Sequence, residues 1–168
     1  MSGILATMVT LTTYGTWLRG DERGWTEDGR ARDPNPQLME ADQRRLKHPA
    51  FVFSDEILRF VGQTIGDSLV GRMSLPIWAM SVHNTHGHIL YGPTAHSPAA
   101  VVKCAKDAAR YALRVGRPLW TEGYDKRYCF DADAVRERIR YIEDHNAELG
   151  WARRPWSFVR IPEELAFD

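Results

Sequence analysis

The chain has 168 residues, 43% of them hydrophobic, and 22 Lys/Arg balance 22 Asp/Glu for a formal net charge of zero. This length suits a single domain over residues 1–168, the apolar fraction argues against wholesale disorder, and the charge balance argues against a broadly adhesive polycation. Residues 101–160 nevertheless hold 13 Lys/Arg against 9 Asp/Glu, a bias that permits a phosphate-bearing partner and that an ordinary solvated helix face also carries.

Ile4 to Thr13 is β-branched and apolar and reads as a first strand. Tyr14 to Trp25, with three glycines and two tryptophans, reads as a structured loop. The polar, proline-bearing sequence that follows, to Pro49, reads as a surface excursion over about residues 19–50, with room for a short helix from Met39 to Leu46. Ser54 is a good N-cap, and Ile57, Phe60, Val61, Ile65 and Leu69 recur at helical spacing, predicting a helix over 55–70. Leu75 to Val82 and His86 to Gly92 read as two strands joined by a short hairpin link.

Ser97-Pro98 then starts a helix that Gly116 and Pro118 end, and Tyr124 to Phe130 reads as a fourth strand. Asp131 caps a last helix, to about Leu149, with its apolar stripe at Val135, Ile139, Ile142 and Leu149. The order β-α-β-β-α-β plus a C-terminal helix predicts an α+β, ferredoxin-like (RRM-like) antiparallel sheet with two helices on one face. Its other face is left free or covered by the last helix.

Cys104 and Cys129 are far apart and form no CxxC, so neither a disulfide framework nor a zinc ribbon is expected. No secretory signal pattern and no apolar run near the roughly 20 residues of a membrane span are present, so the expected compartment is the cytoplasm, without a membrane partner.

The residues suited to chemistry lie on two elements. His86 and His88 are two apart, so on a strand both rings leave the same face and can grip one metal ion. On the last helix, Tyr141 and His145 are four apart and share a face at the edge of the apolar stripe, where a side chain can enter a cleft. Three imidazoles and one phenol suit phosphoryl transfer by a tyrosine nucleophile, because a phenol is weak at neutral pH and a metal at the scissile phosphate withdraws charge from it. Asn146, Glu143 and Asp144 are alternative donors on the same turns. His83 joins the pair in H-x-x-H-x-H spacing, whereas a histidine-triad hydrolase needs H-x-H-x-H. Tyr14 and Trp17 are candidates for base stacking or for packing. Arg110, Arg114, Lys126 and Arg127 are candidates for phosphate contacts or for a solvated face.

His86-Gly87-His88 resembles the HUH signature, and Tyr141-Ile142-Glu143-Asp144-His145-Asn146 resembles the nucleophile helix of single-tyrosine HUH transposases. The similarity is greatest to the REP-associated tyrosine transposases and their insertion-sequence relatives. Thr12 to Leu18 followed by Gly20-Asp21, Pro118 to Asp125, and Asp131 to Tyr141 also resemble stretches of that family, so the matches span roughly residues 8–150.

The resemblance implies a transposase and single-strand endonuclease that cuts and rejoins single-stranded or hairpin DNA through a 5′-phosphotyrosine, with Mg²⁺ or Mn²⁺, at the nucleoid. Tyr141 is then the nucleophile, His86 and His88 are metal ligands, and His145 stands where relatives carry Gln or Asn. It leaves open a homodimer sharing sites in trans and a monomer with its site in cis. Gly87 replaces a bulky hydrophobic residue, and the Asn-Pro that follows the family's tyrosine is absent. Three nitrogen ligands tilt a site towards Mn²⁺ or Zn²⁺ over Mg²⁺. Two other readings stand beside this one: a domesticated, non-catalytic nucleic-acid-binding module of the same fold, and a metal-dependent hydrolase using bound water.

Overall fold

Alternating β-branched and apolar residues build the centre of the sheet. The protein is described by a computed structural model covering residues 3–28 and 30–167. In chain order the elements begin with β1 (Ala6–Thr12), β2 (Trp25–Glu27), β3 (Arg30–Arg32), α1 (Pro36–Arg45) and α2 (Leu58–Met73). They continue with β4 (Ile77–Val82), β5 (His86–Tyr91), α3 (Pro98–Leu113), β6 (Asp125–Cys129) and α4 (Ala132–Glu148). β4, β5, β1 and β6 form one sheet in that spatial order, with every neighbouring pair antiparallel. This is the split βαβ arrangement expected of a ferredoxin-like sheet, with β1 inserted between β5 and β6.

Strand alternation sorts the side chains to two faces. Val9, Leu11, Ile77, Met80, Val82, Ile89 and Tyr91 pack against α2 and α3, where Val61, Ile65, Leu69, Val102, Ala105 and Ala109 meet them. Ala6, Met8, Leu90 and Cys129 face the other way and are covered by Val135, Ile139 and Ile142 of α4. Those three α4 side chains are fully buried. Each contributes about 1.5–3 kcal/mol by leaving water. A register shift in β4 between Ile77 and Ala79 puts Trp78 and Ala79, though consecutive, in the same α4-side cluster. The last helix thus covers the second face of the sheet, the outcome that the element order had left open.

The cap chemistry matches the sequence at Ser97 and Asp131, and α1 adds a cap at Asn35. The side chains of Asn35, Ser97 and Asp131 accept from the backbone N–H three residues on. The excursion is more ordered than its polar composition predicts. It carries the small hairpin β2–β3, and α1 begins at Pro36, three residues before the expected start. Runs of three residues are too short to show a period, which is why the hairpin is not legible in the sequence. The helix expected from residue 55 starts as a 3-10 turn over Asp55–Ile57, because the Ser54 side chain makes no cap bond, and it ends beyond residue 70 at Ser74 in the left-handed conformation.

After α4 the chain runs back over the molecule. Trp156 Nε1 donates to Arg59 O at 3.0 Å, and Arg160 N donates to Ile77 O at 3.0 Å, occupying part of the exposed edge of β4. No helix among the described residues is long and apolar enough to cross a membrane.

Candidate active site

The β4–β5 hairpin is closed by His83 N donating to His86 O at 2.7 Å, with only Asn84 and Thr85 between them. Its tip is held from both sides. Asn84 Nδ2 donates to Phe53 O at 2.8 Å, and Thr13 N donates to Thr85 O at 2.8 Å. The ladder pairs Ser81 with His88 and Val82 with Gly87, so His83 and His86 are opposite one another and lie on the same face as His88. That is the face covered by α4, which brings Tyr141 and His145 to the same place.

The four imidazoles pack as two stacked pairs. His83 lies on His86 with ring centroids 4.8 Å apart, and His88 lies on His145 at 5.3 Å. Between the pairs, His86 and His88 meet edge to face at 5.0 Å, and His83 and His145 at 4.7 Å. The Tyr141 ring stands edge to face against both His145, at 4.7 Å, and His88, at 5.4 Å. Tyr141 is 44% exposed, so its phenol is accessible to a large substrate while the histidines lie deeper. Tyr141 and His145 of α4 thus lie against the histidines of the β4–β5 hairpin of the same chain.

Burial sets the electrostatics. It pushes His86 down to about 4 and His88 to about 3, with further lowering from the neighbouring imidazoles and from Arg23 and Arg138 respectively. His83 is lowered in the same way, first by burial and then by His145, against the opposing pull of Glu148. His86 and His88 are therefore neutral at physiological pH, the state in which an imidazole offers a lone pair. The Thr10 hydroxyl lies 2.8 Å from His88 Nδ1, and Glu148 Oε2 lies 3.6 Å from His145 Nδ1.

On His88 and His86 a threonine hydroxyl lies beside Nδ1, Thr10 at 2.8 Å and Thr85 at 3.2 Å, which leaves Nε2 as the free ring nitrogen of both. Among the described residues, Nε2 of His83, His88 and His145 is buried without a hydrogen-bond partner. Such orphaned atoms cost about 1–3 kcal/mol each. No three imidazole, thiol or carboxylate groups among the described residues converge on a common point, because the rings face one another in stacked pairs. His88 has the features of a ligand: it is neutral, its Nδ1 has the Thr10 hydroxyl as partner and its Nε2 is unpartnered. A divalent cation bound here would be held by His86, His88 and His145.

The other candidates are dispersed. Tyr14 turns to the excursion, where its hydroxyl accepts from Lys47 N at 3.1 Å. Trp17 donates through Nε1 to Gly24 O, and Arg23 lies over its ring at 4.0 Å. It is 41% exposed on the loop whose Arg23 charge reaches His86. Arg110 and Arg114 belong to α3 and its C-cap, behind the sheet from the histidines, and Arg110 pairs with Asp107 at 3.3 Å. Lys126 and Arg127 are consecutive on the edge strand β6 and so leave opposite faces. Arg127, across from Met8, is the one on the α4 side.

Glu143, Asp144 and Asn146 are engaged elsewhere. Glu143 and Asp144 pair with Arg154 and Arg153, each at 2.6 Å, and the buried Asn146 bonds backbone carbonyls. Two further neighbours of the site are His83, whose spacing does not fit a histidine triad, and Arg138. His83 was legible from the two-residue hairpin, which sets residues three apart opposite each other. Arg138, one turn before Tyr141, lowers the His88 pKa and has no ion pair among the described residues.

No family model and no curated protein matches the sequence. Among solved structures, a REP-associated tyrosine transposase bound to a REP hairpin superposes with a TM-score of 0.52 at 13% identity, covering 92% of this chain and 74% of that one. A candidate transposase from Deinococcus radiodurans R1 superposes at 0.48 and 15% identity, covering 86% and 93%. At these identities the likeness is one of fold, and by the first of these comparisons the chain has a tyrosine-transposase fold.

Proposed function

We propose that the chain is a DNA transposase or transposase-derived nuclease that cleaves and rejoins single-stranded or hairpin DNA through Tyr141. The observation that carries this reading is the exposed Tyr141 phenol standing against His88 and His145 at the mouth of a half-buried histidine cluster. In the forward step the phenol oxygen forms a bond to phosphorus and the bond to the 3′-oxygen breaks. The phenolic proton is lost, the departing 3′-oxygen takes up a proton, and the 5′ end remains on Tyr141 as a phosphodiester. Phenolate is a good leaving group, so an incoming 3′-hydroxyl reverses the step without an external energy source. A divalent cation, Mg²⁺ or Mn²⁺, supplies charge withdrawal at the phosphate when bound.

The chain's own residues supply the rest. Thr10 holds the His88 ring, Ile139 and Ile142 fix α4 on the sheet, and the exposed Tyr141 edge leaves room for the strand. The test is incubation with labelled hairpin DNA and Mn²⁺, read on a denaturing gel and by peptide mapping. The expected product is a covalent adduct on Tyr141 that Tyr141→Phe does not form. An adduct retained by Tyr141→Phe removes Tyr141 from the role. His86→Ala is expected to abolish cleavage and keep hairpin binding.

The stacking of the histidine rings on one another favours a second reading, a non-catalytic nucleic-acid-binding module. It predicts tight hairpin binding with no cleavage in either Mg²⁺ or Mn²⁺.

A further inference from the structure

We propose that Arg138 is a further catalytic residue of this site, its guanidinium taking the two non-bridging oxygens of the phosphate that Tyr141 attacks. The proposal rests on the reading of Tyr141 as the nucleophile. It adds the group of the chain that meets the charge of the phosphate.

Arg138 stands in line with the reactive side chains. Positions 138, 141 and 145 are spaced by three and four on α4, so they share one stripe of the helix with Tyr141 in the middle. His145 meets the Tyr141 ring at 4.7 Å, and Arg138 lies one turn away in the opposite direction along the helix. Side chains on a helix lean towards its N-terminus, so the turn that carries Arg138 is the one a helical Tyr141 side chain covers. The charge of Arg138 reaches the buried His88 on β5 and the buried Cys129 on β6, which keeps the guanidinium close to the sheet.

Arg138 is also uncommitted. It is half-buried, and among the described residues its side chain makes neither an ion pair nor a hydrogen bond. The arginines around it are engaged. Arg23 pairs with Asp21, Arg127 with Asp125, Arg153 with Asp144 and Arg154 with Glu143. On α4 itself Arg136 pairs with Asp133, and Arg140 lies over the Phe167 ring. A guanidinium that gives up part of its water with no carboxylate in return gains most from an anion that arrives later. A phosphodiester carries one negative charge over two oxygens, which the planar fork of arginine matches with two parallel bonds.

The role is electrostatic. When the phenol oxygen adds to phosphorus, charge builds on the non-bridging oxygens, and donors already in place stabilise it. Arg138 makes and breaks no covalent bond and passes no proton, so the atom balance of the transfer to Tyr141 is unchanged.

The test measures the rate of adduct formation with labelled hairpin DNA and Mn²⁺, after the cut position is mapped with wild type. One strand carries the ordinary phosphodiester there, and a second carries a neutral methylphosphonate. Arg138→Gln is expected to slow the adduct on the phosphodiester about a hundredfold at saturating DNA. Arg138→Lys, which keeps the charge and loses the fork, is expected to slow it about tenfold. On the methylphosphonate, wild type and Arg138→Gln are expected to agree within about threefold, because the charge that the guanidinium meets is gone. The same cancellation is read without turnover as the affinity of Tyr141→Phe, with and without Arg138→Gln, for the two strands. Melting midpoints of the variants are measured alongside. A wild-type adduct that Arg138→Gln forms at the same rate overturns the role of Arg138 and leaves that of Tyr141 standing. A penalty of equal size on both strands makes Arg138 a support of the fold and overturns the proposal. So does a penalty that only a methylphosphonate at the neighbouring position cancels. Absence of any wild-type adduct overturns the Tyr141 reading and this proposal with it.

Discussion

The Thr10 hydroxyl on β1 lies 2.8 Å from Nδ1 of His88 on β5, directly across the ladder. This one bond aims the Nε2 lone pair of the most deeply buried histidine of the cluster. Thr10→Val keeps the shape and strand propensity and removes the partner. Metal affinity is expected to fall about tenfold, because the ring loses its fixed orientation and tautomer. Folding stability is expected to fall by about 1 kcal/mol. Metal titration and urea denaturation of the two proteins measure both effects. An unchanged affinity would show that the hydroxyl does not orient the ring.

Asn146 anchors α4, the helix that carries Tyr141. Its Nδ2 donates at 2.9 Å to Met80 O in β4 and at 2.9 Å to Arg153 O beyond the helix. Asn146→Ala leaves two carbonyls unpaired, one of them in a fully buried environment. The expected loss is about 2–3 kcal/mol, read as a shift in the denaturation midpoint. Asn146→Asp presents only acceptors to two acceptors and is expected to be worse. Because Tyr141 and His145 ride on the same helix, DNA adduct yield is expected to fall in both variants even under conditions where the chain stays folded.

Gly87 stands where a bulky hydrophobic residue is expected in a His-hydrophobic-His motif. Its side-chain position points to the α2 and α3 face, away from the histidines, and a Cβ there comes 3.2 Å from Ser81 O. Alanine is expected to be close to neutral, since the strand gains rigidity and the carbonyl must shift by only a few tenths of an ångström. Gly87→Leu is expected to cost about 1–3 kcal/mol by overpacking. Metal affinity is expected to stay at the wild-type value in Gly87→Ala, because His86 and His88 leave the opposite face. Thermal melts and metal titrations check the two halves of the prediction.

Asp21 carries a pH dependence for the loop beside His86. It is buried, and its carboxylate accepts from the Arg23 guanidinium at 2.7 and 2.8 Å and from Arg23 N at 2.9 Å. The Arg23 side-chain bond holds its pKa below the usual carboxylate range. A depressed folded pKa gives stability that is fully present above the unfolded value, near 3.9, and is lost as pH falls through the folded value. The loop is therefore expected to stay protected from proteolysis at neutral pH and to open in strong acid. Asp21→Asn is expected to be cut faster at pH 7 and to lose most of the acid dependence. Limited proteolysis across pH reads both.

Much of this fold is legible in one-dimensional periods. The alternation in Ala6–Thr12, the mostly apolar run before His83, and the Val135, Ile139, Ile142 stripe each mark a face, and the structure buries those faces as the periods require. The Asn35, Ser97 and Asp131 caps are local too, because a cap bond spans only three residues. The β2–β3 hairpin was hidden because its strands are too short to carry a period.

The site divides along the same line. Two-residue spacing put His86 and His88 on one face, and four-residue spacing put Tyr141 and His145 on another, since both follow from the geometry of a single element. That these two faces meet is a matter of α4 lying on the β5 side of the sheet, held by Asn146 and by Ile139 and Ile142. Local sequence cannot express a contact made between segments more than 50 residues apart, because each segment is equally regular whichever surface it covers. The same packing turned Asp144 outward to Arg153, engaged the buried Glu143 with Arg154, and brought His83 against His145. The sequence by itself determined which side chains travel together; the tertiary structure decided which groups of them share one buried space, because that depends on how helix and sheet dock and bury their apolar faces.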